Sequence, residues 1–388
     1  MISSILDNDL YKFSMQNAVV KLFPRAKVKY EFINRNQTPF PEGFAEALRK
    51  EIYKMADLKL QPDEKDFLER RCYYLDPTYL DFLRGYRFDP SEVGVIQISG
   101  NLQVSVEGYW YRTIMWEVPL MALISELYFK LTNSKPFSDD KIAEIVQKKI
   151  TNYNYKAVKV ADFGTRRRYS HAVQDLVVKN LKEYGGNAFT GSSNVFFAKK
   201  YDTTPIGTHA HEWFMFHGAK YGYKIANKLA LEHWVEVYRG DLGIALSDTY
   251  TSDVFFRAFD KKFAKLFDGV RQDSGDPLLF ADKVIAHYKS LNIDPKSKVI
   301  VFSDGLNPEE VAKIADYCRN QIGMSFGVGT NFTNDVGVKP LNIVIKITDA
   351  LPEGGQNWVS TVKLSDTAGK HTGTQKAIKL CKDLLEID

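Results

Sequence analysis

Two of the chain's seven histidines lie in one short stretch, Gly207-Thr208-His209-Ala210-His211-Glu212-Trp213. An imidazole titrates near neutral pH, so it can ligate a metal, accept a phosphoryl group or move a proton. In an extended segment His209 and His211 point the same way and can share an ion. At a helix start they diverge by about 200° and cannot. Glu212 is followed by Trp213, Phe214 and Met215, so there is no H-E-x-x-H motif and a third ligand must come from a remote strand. A metal-dependent barrel hydrolase built on His209, His211 and Asp248 is one reading; a histidine nucleophile is the other. His171, His217, His233, His287 and His371 read as core or surface residues.

Other groups suit anions and flat rings. Gly327-Val328-Gly329-Thr330-Asn331 lets backbone N–H groups converge on a phosphate, with the Thr330 hydroxyl beside them, although it lacks the lysine of a P-loop. In Asp273-Ser274-Gly275-Asp276-Pro277, Asp276 reads as a helix cap ahead of Pro277. Asp273, two residues from Arg271, is left for ribose hydroxyls or a metal–diphosphate. Arg166-Arg167-Arg168 cannot share one helix face. Arg166, nearest a strand end, is the candidate to receive a carboxylate or phosphate, and Arg167 or Arg168 reads as surface charge. Phe163 and Tyr11 are candidates to bracket a planar ring.

The elements that must position these groups follow from periodicity. Residues 9–23 read as a helix introduced by Asp7 or Asp9, and Lys27–Ile33 as a strand. Val93–Ile98 and Leu102–Val106 read as strands around Ser99-Gly100-Asn101, and a helix is expected from Pro119 to Leu131. From about residue 156, apolar runs at 157–161, 187–190, 243–247, 269–271, 298–302 and 324–327 alternate with helices, which implies a parallel sheet or barrel. Each run ends in polar, glycine-bearing residues, where ligands bind in such folds. Leu341–Ile347 and Trp358–Leu364 read as further strand-like runs around a Gly354-Gly355 turn, and 374–386 as a final helix. The expected organisation is an α/β chain of two units. Residues 1–135 with a returning tail 345–388 form an N-terminal α/β domain, and 136–344 form a barrel-like catalytic domain.

Composition excludes several classes. A net charge of +4 is too small an excess for a nucleic-acid partner, yet leaves room for a local basic pocket. Cys72, Cys318 and Cys381 are far apart with no C-x-x-C, which argues against a disulfide framework and suits a reducing compartment. No signal peptide is read, and the most apolar stretch, 113–124, is broken by Glu117 and Pro119. A cytoplasmic protein without a membrane partner is expected.

Taken together the segments resemble the nicotinate phosphoribosyltransferase family. The resemblance is carried by Asp7-Asn8-Asp9-Leu10-Tyr11-Lys12-Phe13-Ser14-Met15, Asp162–Arg168, Gly207–Trp213, Val270–Pro277, Phe302–Asn307, Phe326–Asn331 and Lys363–Asp366, in that order. It implies an irregular α/β barrel of the type II phosphoribosyltransferase kind and a homodimer with shared active sites. The implied reaction joins nicotinate to phosphoribosyl diphosphate, giving nicotinate mononucleotide for NAD biosynthesis, with ATP hydrolysis coupled through a phosphohistidine (the ligase class) and Mg²⁺ accompanying the diphosphate. Residue by residue, it places the phosphorylated histidine at His211 and the stacking ring at Phe163, with Tyr11 of a partner subunit opposite. Arg166 falls beside the nicotinate pocket, Arg271, Asp273 and Asp304 along the ribose-phosphate, and Gly327, Gly329 and Thr330 at the 5′-phosphate. Arg35 of a partner is expected near the diphosphate. No residue is expected to hold Mg²⁺ directly except, as an alternative, Asp248. Ser193 stands where amide-using relatives are expected to carry an acid, and a neutral residue suits a carboxylate substrate. A nicotinamide-using enzyme is therefore the nearer alternative, and a nucleotide-binding module without catalysis a more distant one. Ala368 replaces an expected proline, which leaves Lys363 and Lys370 without assigned roles.

Overall fold

The computed structural model of the chain describes residues 1–367 and 369–387, so Ala368 lies outside the described residues. The first third builds an antiparallel sheet. Strand β1 (Lys27–Asn34) turns Val28 and Tyr30 inward and Glu31 and Ile33 outward, the period-two pattern of a half-buried strand. It pairs with β3 (Asn101–Tyr109), which forms a hairpin with β2 (Val93–Ile98). The helix expected from Pro119 begins at Glu117 and runs to Leu131, so the proline sits inside its first turn.

The second sheet holds seven parallel strands: β4 (Val160–Asp162), β5 (Phe189–Ser192), β6 (Thr204–Pro205), β7 (Ile244–Leu246), β8 (Gly269–Gln272), β9 (Val299–Phe302) and β10 (Gly323–Val328). Their order is β6-β5-β4-β10-β9-β8-β7, and every adjacent pair is parallel. Most residues of β4, β7 and β8 are buried, so these short strands show little of the alternation of a half-buried strand. Strands β4 and β5 start two to three residues later than their apolar runs suggested. Strand β6 escaped the sequence reading because it is two residues long and contains a proline.

The free edges at β6 and β7 are joined by side chains. Thr208 Oγ1 donates to the Ile244 carbonyl at 2.9 Å, and the Leu246 N–H donates to His209 Nε2 at 3.1 Å. The segment after β6 thus covers the unpaired edge of β7 in place of another strand.

Beyond the parallel sheet the tail divides. Strands β11 (Ile343–Leu351) and β12 (Val359–Ser360) complete the first sheet in the order β12-β11-β1-β3-β2. The Leu364 N–H then donates to the Thr249 carbonyl at 2.8 Å, carrying the chain back to the parallel half. The closing helix Gln375–Leu385 packs on the helix Tyr223–Tyr238 rather than on the N-terminal sheet. Among the described residues no helix is long and apolar enough to cross a membrane.

Buried charge locks the two halves together. Lys12, wholly buried, bridges Glu117 at 2.6 Å and Glu212, which also accepts from Tyr30 Oη and Trp110 Nε1 at 3.1 Å each. Burial opposes the Lys12 charge, but the two carboxylates outweigh it and hold its ammonium above the usual value.

Candidate active site

The C-terminal ends of the parallel strands open into one cavity. The first side chain in it is Phe163, just after β4, whose N–H donates to the Val328 carbonyl at 2.8 Å. A Cβ added at Gly327 would sit 2.2 Å from the Phe163 ring, so this glycine makes room for the aromatic rather than serving an anion alone. A Cβ at Gly164 would meet Thr333 at 2.2 Å, and Thr333 Oγ1 donates to the Gly164 carbonyl at 2.8 Å. The loops after β4 and β10 therefore interlock and set one wall.

Tyr11 of this chain also lines the cavity, where the resemblance implied the Tyr11 of a partner. Its hydroxyl is buried without a hydrogen-bond partner. Arg166 reaches the cavity with its side chain half exposed and lies 3.5 Å from Glu117. Arg167 lines the cavity too; burial first, then Arg166 and Arg35, push its guanidinium down to about 10. Arg168 is wholly buried in a two-pronged pair with Asp7 at 2.7 and 2.8 Å, so neither Arg167 nor Arg168 is the surface charge expected. Ser193, Gly329 and Thr330 also border the cavity.

His211 is the first residue of the helix His211–Tyr221, and it alone of the pair faces the cavity. Its Nδ1 lies 3.0 Å from Thr249 Oγ1, and its Nε2 lies 3.1 Å from Asp273 Oδ2 and 2.8 Å from Lys363 Nζ. Burial, then the Lys363 ammonium, lower the His211 pKa against the pull of Asp248 and Asp273, so the ring is held toward its neutral form. Burial would raise Asp273, but its hydrogen bond with His211 and the nearby Arg271 charge hold it well below the usual carboxylate range. Asp273 also accepts from Ser303 Oγ at 2.7 Å. Asp276 caps the next helix, accepting from the Leu278 and Leu279 N–H groups, as its sequence position indicated.

The shared-metal reading of the two histidines fails on geometry. His209 is buried against Phe214 and Trp234, and its Nε2 is taken by the Leu246 N–H. His211, Asp248 and Asp273 do bring one ligand atom each within 4.8 Å. They are a poor seat for Mg²⁺, which prefers oxygen ligands, because Lys363 Nζ already stands 2.8 Å from His211 and 3.5 Å from Asp248. Asp248 instead accepts from Ser274 Oγ at 2.5 Å.

Other assignments shift. Asp304 does not line the cavity; its neighbour Ser303 does, and Asp304 lies 3.9 Å from Lys370 Nζ at the surface. Lys363, left without a role by sequence, touches His211 directly. Lys346 on β11 went unnoticed: its ammonium donates to Thr372 Oγ1 at 2.5 Å, and burial, then Lys363 and Arg35, push it down to about 7. A lysine between Ile345 and Ile347 reads as an outward strand residue, so its sequence carried no signal of a site. Arg35 of the same chain, exposed, is close enough to act on both Lys346 and Arg167. Asp9, also missed, lies in the cavity wall within the N-terminal run that carried the resemblance.

The chain is similar to known proteins over its whole length. The family model described as the nicotinate phosphoribosyltransferase (NAPRTase) family matches residues 158–387, and its N-terminal domain model matches 6–125. A nicotinate phosphoribosyltransferase of Chromohalobacter salexigens is 58% identical over 387 residues, covering 100% of this chain and 99% of that one. One from Methanosarcina acetivorans is 45% identical, covering 98% of this chain and 97% of the relative. The crystal structure of nicotinate phosphoribosyltransferase from Porphyromonas gingivalis superposes with a TM-score of 0.97 at 48% identity, each chain covered completely.

Proposed function

Because the chain belongs to the nicotinate phosphoribosyltransferase family, we propose that this cavity couples the transfer to ATP through His211. Nicotinate enters the slot between Phe163 and Tyr11, with its carboxylate toward Arg166, which aligns the ring nitrogen for attack. Phosphoribosyl diphosphate lies with its 5′-phosphate on the loop Gly327–Thr330 and its ribose near Arg271 and Asp273. The ring nitrogen forms the bond to ribose C1 as the bond from C1 to diphosphate breaks. Positive charge builds on the sugar and negative charge on the leaving group, so fixed cations stabilise the departure. Lys363 and Arg35 supply such charge in this chain, and Lys346 beside them adds to it only when protonated. No general base is needed, since the ring nitrogen carries no proton. Mg²⁺ arrives with the diphosphate as part of the substrate.

The observation that carries the coupled reading is His211: an imidazole kept toward neutrality, at a helix start, between Lys363 and Asp273 in the cavity wall. A neutral nitrogen attacks the γ-phosphorus of ATP, the P–O bond to ADP breaks, and Lys363 offsets the charge gained. The phosphoryl group adds negative charge among these loops and favours a closed form that binds phosphoribosyl diphosphate more tightly. Incubation with γ-labelled ATP is expected to leave an acid-labile label on the wild type and none on His211→Asn. Label retained by His211→Asn, or absent from the wild type, overturns the coupling. Turnover on nicotinate is expected to exceed turnover on nicotinamide, and a preference for the amide would remove the role of Ser193.

The same reading makes the protein a cytoplasmic homodimer. Ile96 and Ile98, 55% and 61% exposed on edge strand β2, are apolar surface that a second copy would cover. Sedimentation is expected to give twice the chain mass.

A further inference from the structure

Asp9 has no part in the scheme above, yet its carboxyl is 2% exposed in the wall of a cavity that receives an anion. The Ser193 hydroxyl donates to Asp9 Oδ1 at 2.8 Å. Backbone bonds hold the pair in place: Leu10 N–H donates to the Ser193 carbonyl, and Ser193 N–H to the Asp162 carbonyl, each at 2.7 Å. While Asp9 is ionised, the Ser193 hydrogen is committed to it, and the pair presents only lone pairs to the cavity. That surface accepts from an amide N–H and repels a carboxylate. With a proton on Asp9 the bond reverses. Asp9 then donates to Ser193 Oγ, and the Ser193 hydrogen is released to point at a substrate oxygen.

We propose that Asp9 and Ser193 form a proton-linked selector, in which binding of a pyridine carboxylate brings one proton onto Asp9 and Ser193 passes its own hydrogen to the substrate. The proton comes from water and rests on Asp9 Oδ1; no covalent bond changes. The proposal rests on the nicotinate reading of the cavity. The charged and titratable groups facing Asp9 are Asp162 on β4, Arg166 and Arg168 in the turn after it, and Tyr11 on its own helix. Burial, the largest influence, with Asp162, favours the protonated form; Arg166, Ser193 and Thr165 oppose it, and the balance leaves the carboxyl above its ordinary value. A substrate carboxylate shifts that balance further the same way, since it adds negative charge and draws Arg166 to itself.

Calorimetry of nicotinate binding to the full chain, in buffers of differing ionisation enthalpy, counts the protons directly. The expected wild-type result approaches one proton taken up per nicotinate at alkaline pH. The KM for nicotinate should rise up to about tenfold per pH unit there. Asp9→Asn, with an amide donor fixed toward Ser193, should abolish the uptake and flatten that pH profile. Ser193→Ala should keep the uptake but lose preference for the acid over nicotinamide. No proton uptake by the wild type, an unchanged pH slope in Asp9→Asn, or an unchanged preference in Ser193→Ala overturns the selector. If Asp9→Asn does not fold, the wild-type count and Ser193→Ala still decide. Failure of the wild type to bind nicotinate at all overturns the cavity reading and the selector with it, whereas binding without proton uptake overturns the selector alone.

Discussion

Two charged regions lie side by side in this molecule and differ in one respect. Behind the cavity, Lys12, Glu117, Glu212 and the Asp7–Arg168 pair are buried with their charges matched at short range. In the cavity wall, Tyr11 Oη and Arg271 Nε are buried and left without hydrogen-bond partners. A buried polar group without a partner is costly, so evolution tolerates it chiefly where a ligand completes it. The frame pairs its charges within the fold, although Arg168 Nε is also left open, whereas the site leaves polar atoms of Tyr11 and Arg271 facing a cavity. Composition alone does not separate them, because both contain lysine, arginine and carboxylates.

The sharpest way to break that division is to open the frame. Lys12→Met leaves Glu117 and Glu212 buried together and is expected to cost about 3–5 kcal/mol of stability by denaturant unfolding. A change much below 1 kcal/mol would mean that the cluster is not structural. The matching change in the site is Arg271→Gln. A loss of about 10²–10³ in kcat is expected, with the melting temperature within a degree or two of the wild type. If melting collapses as well, Arg271 belongs to the frame.

The histidines carry the comparison into pH. His217, on the same helix as His211, packs among aromatics and lies 2.8 Å from His233; burial pushes it down to about 3. Its folded pKa lies below the unfolded value of 6.5, so its contribution is complete above pH 6.5. It falls as the unfolded chain gains a proton that the folded one refuses. Between pH 6.5 and 5 this single group is expected to remove about 2 kcal/mol. His217→Phe should flatten that limb of the stability profile, and an unchanged limb would assign it elsewhere. The smallest expected effect is at Gly327→Ala, whose Cβ must displace the Phe163 ring. The KM for nicotinate should rise about tenfold, equivalent to about 1.4 kcal/mol, and more than the KM for phosphoribosyl diphosphate, whose phosphate rests on the same loop.

Legibility in the sequence followed the same division. The strand-end loops were readable because each pairs an apolar run with polar, glycine-bearing residues, and five of the six runs became a strand whose following loop lines the cavity; the sixth, β7, is followed by Ser247 and Asp248 beside His211. Strand β6 was not readable, since two residues have no period. The resemblance placed Asp304 along the ribose-phosphate, whereas in the structure its neighbour Ser303 lines the cavity. Lys346 gave no signal, and Lys363 was noticed without a role, because only folding brings that distant tail residue to His211.

By itself the sequence determined the class of chemistry: alternating βα segments, a row of polar loops, and a glycine-led histidine pair among arginines and aromatics, all local patterns that physics reads over a few residues. Only the tertiary structure decided which histidine acts. His209 and His211 differ by two positions, yet one completes the edge of β7 while the other opens a helix facing Lys363 and Asp273. The reason is that burial and long-range hydrogen bonds set a side chain's direction and charge, and their partners here lie 37 and 152 residues away.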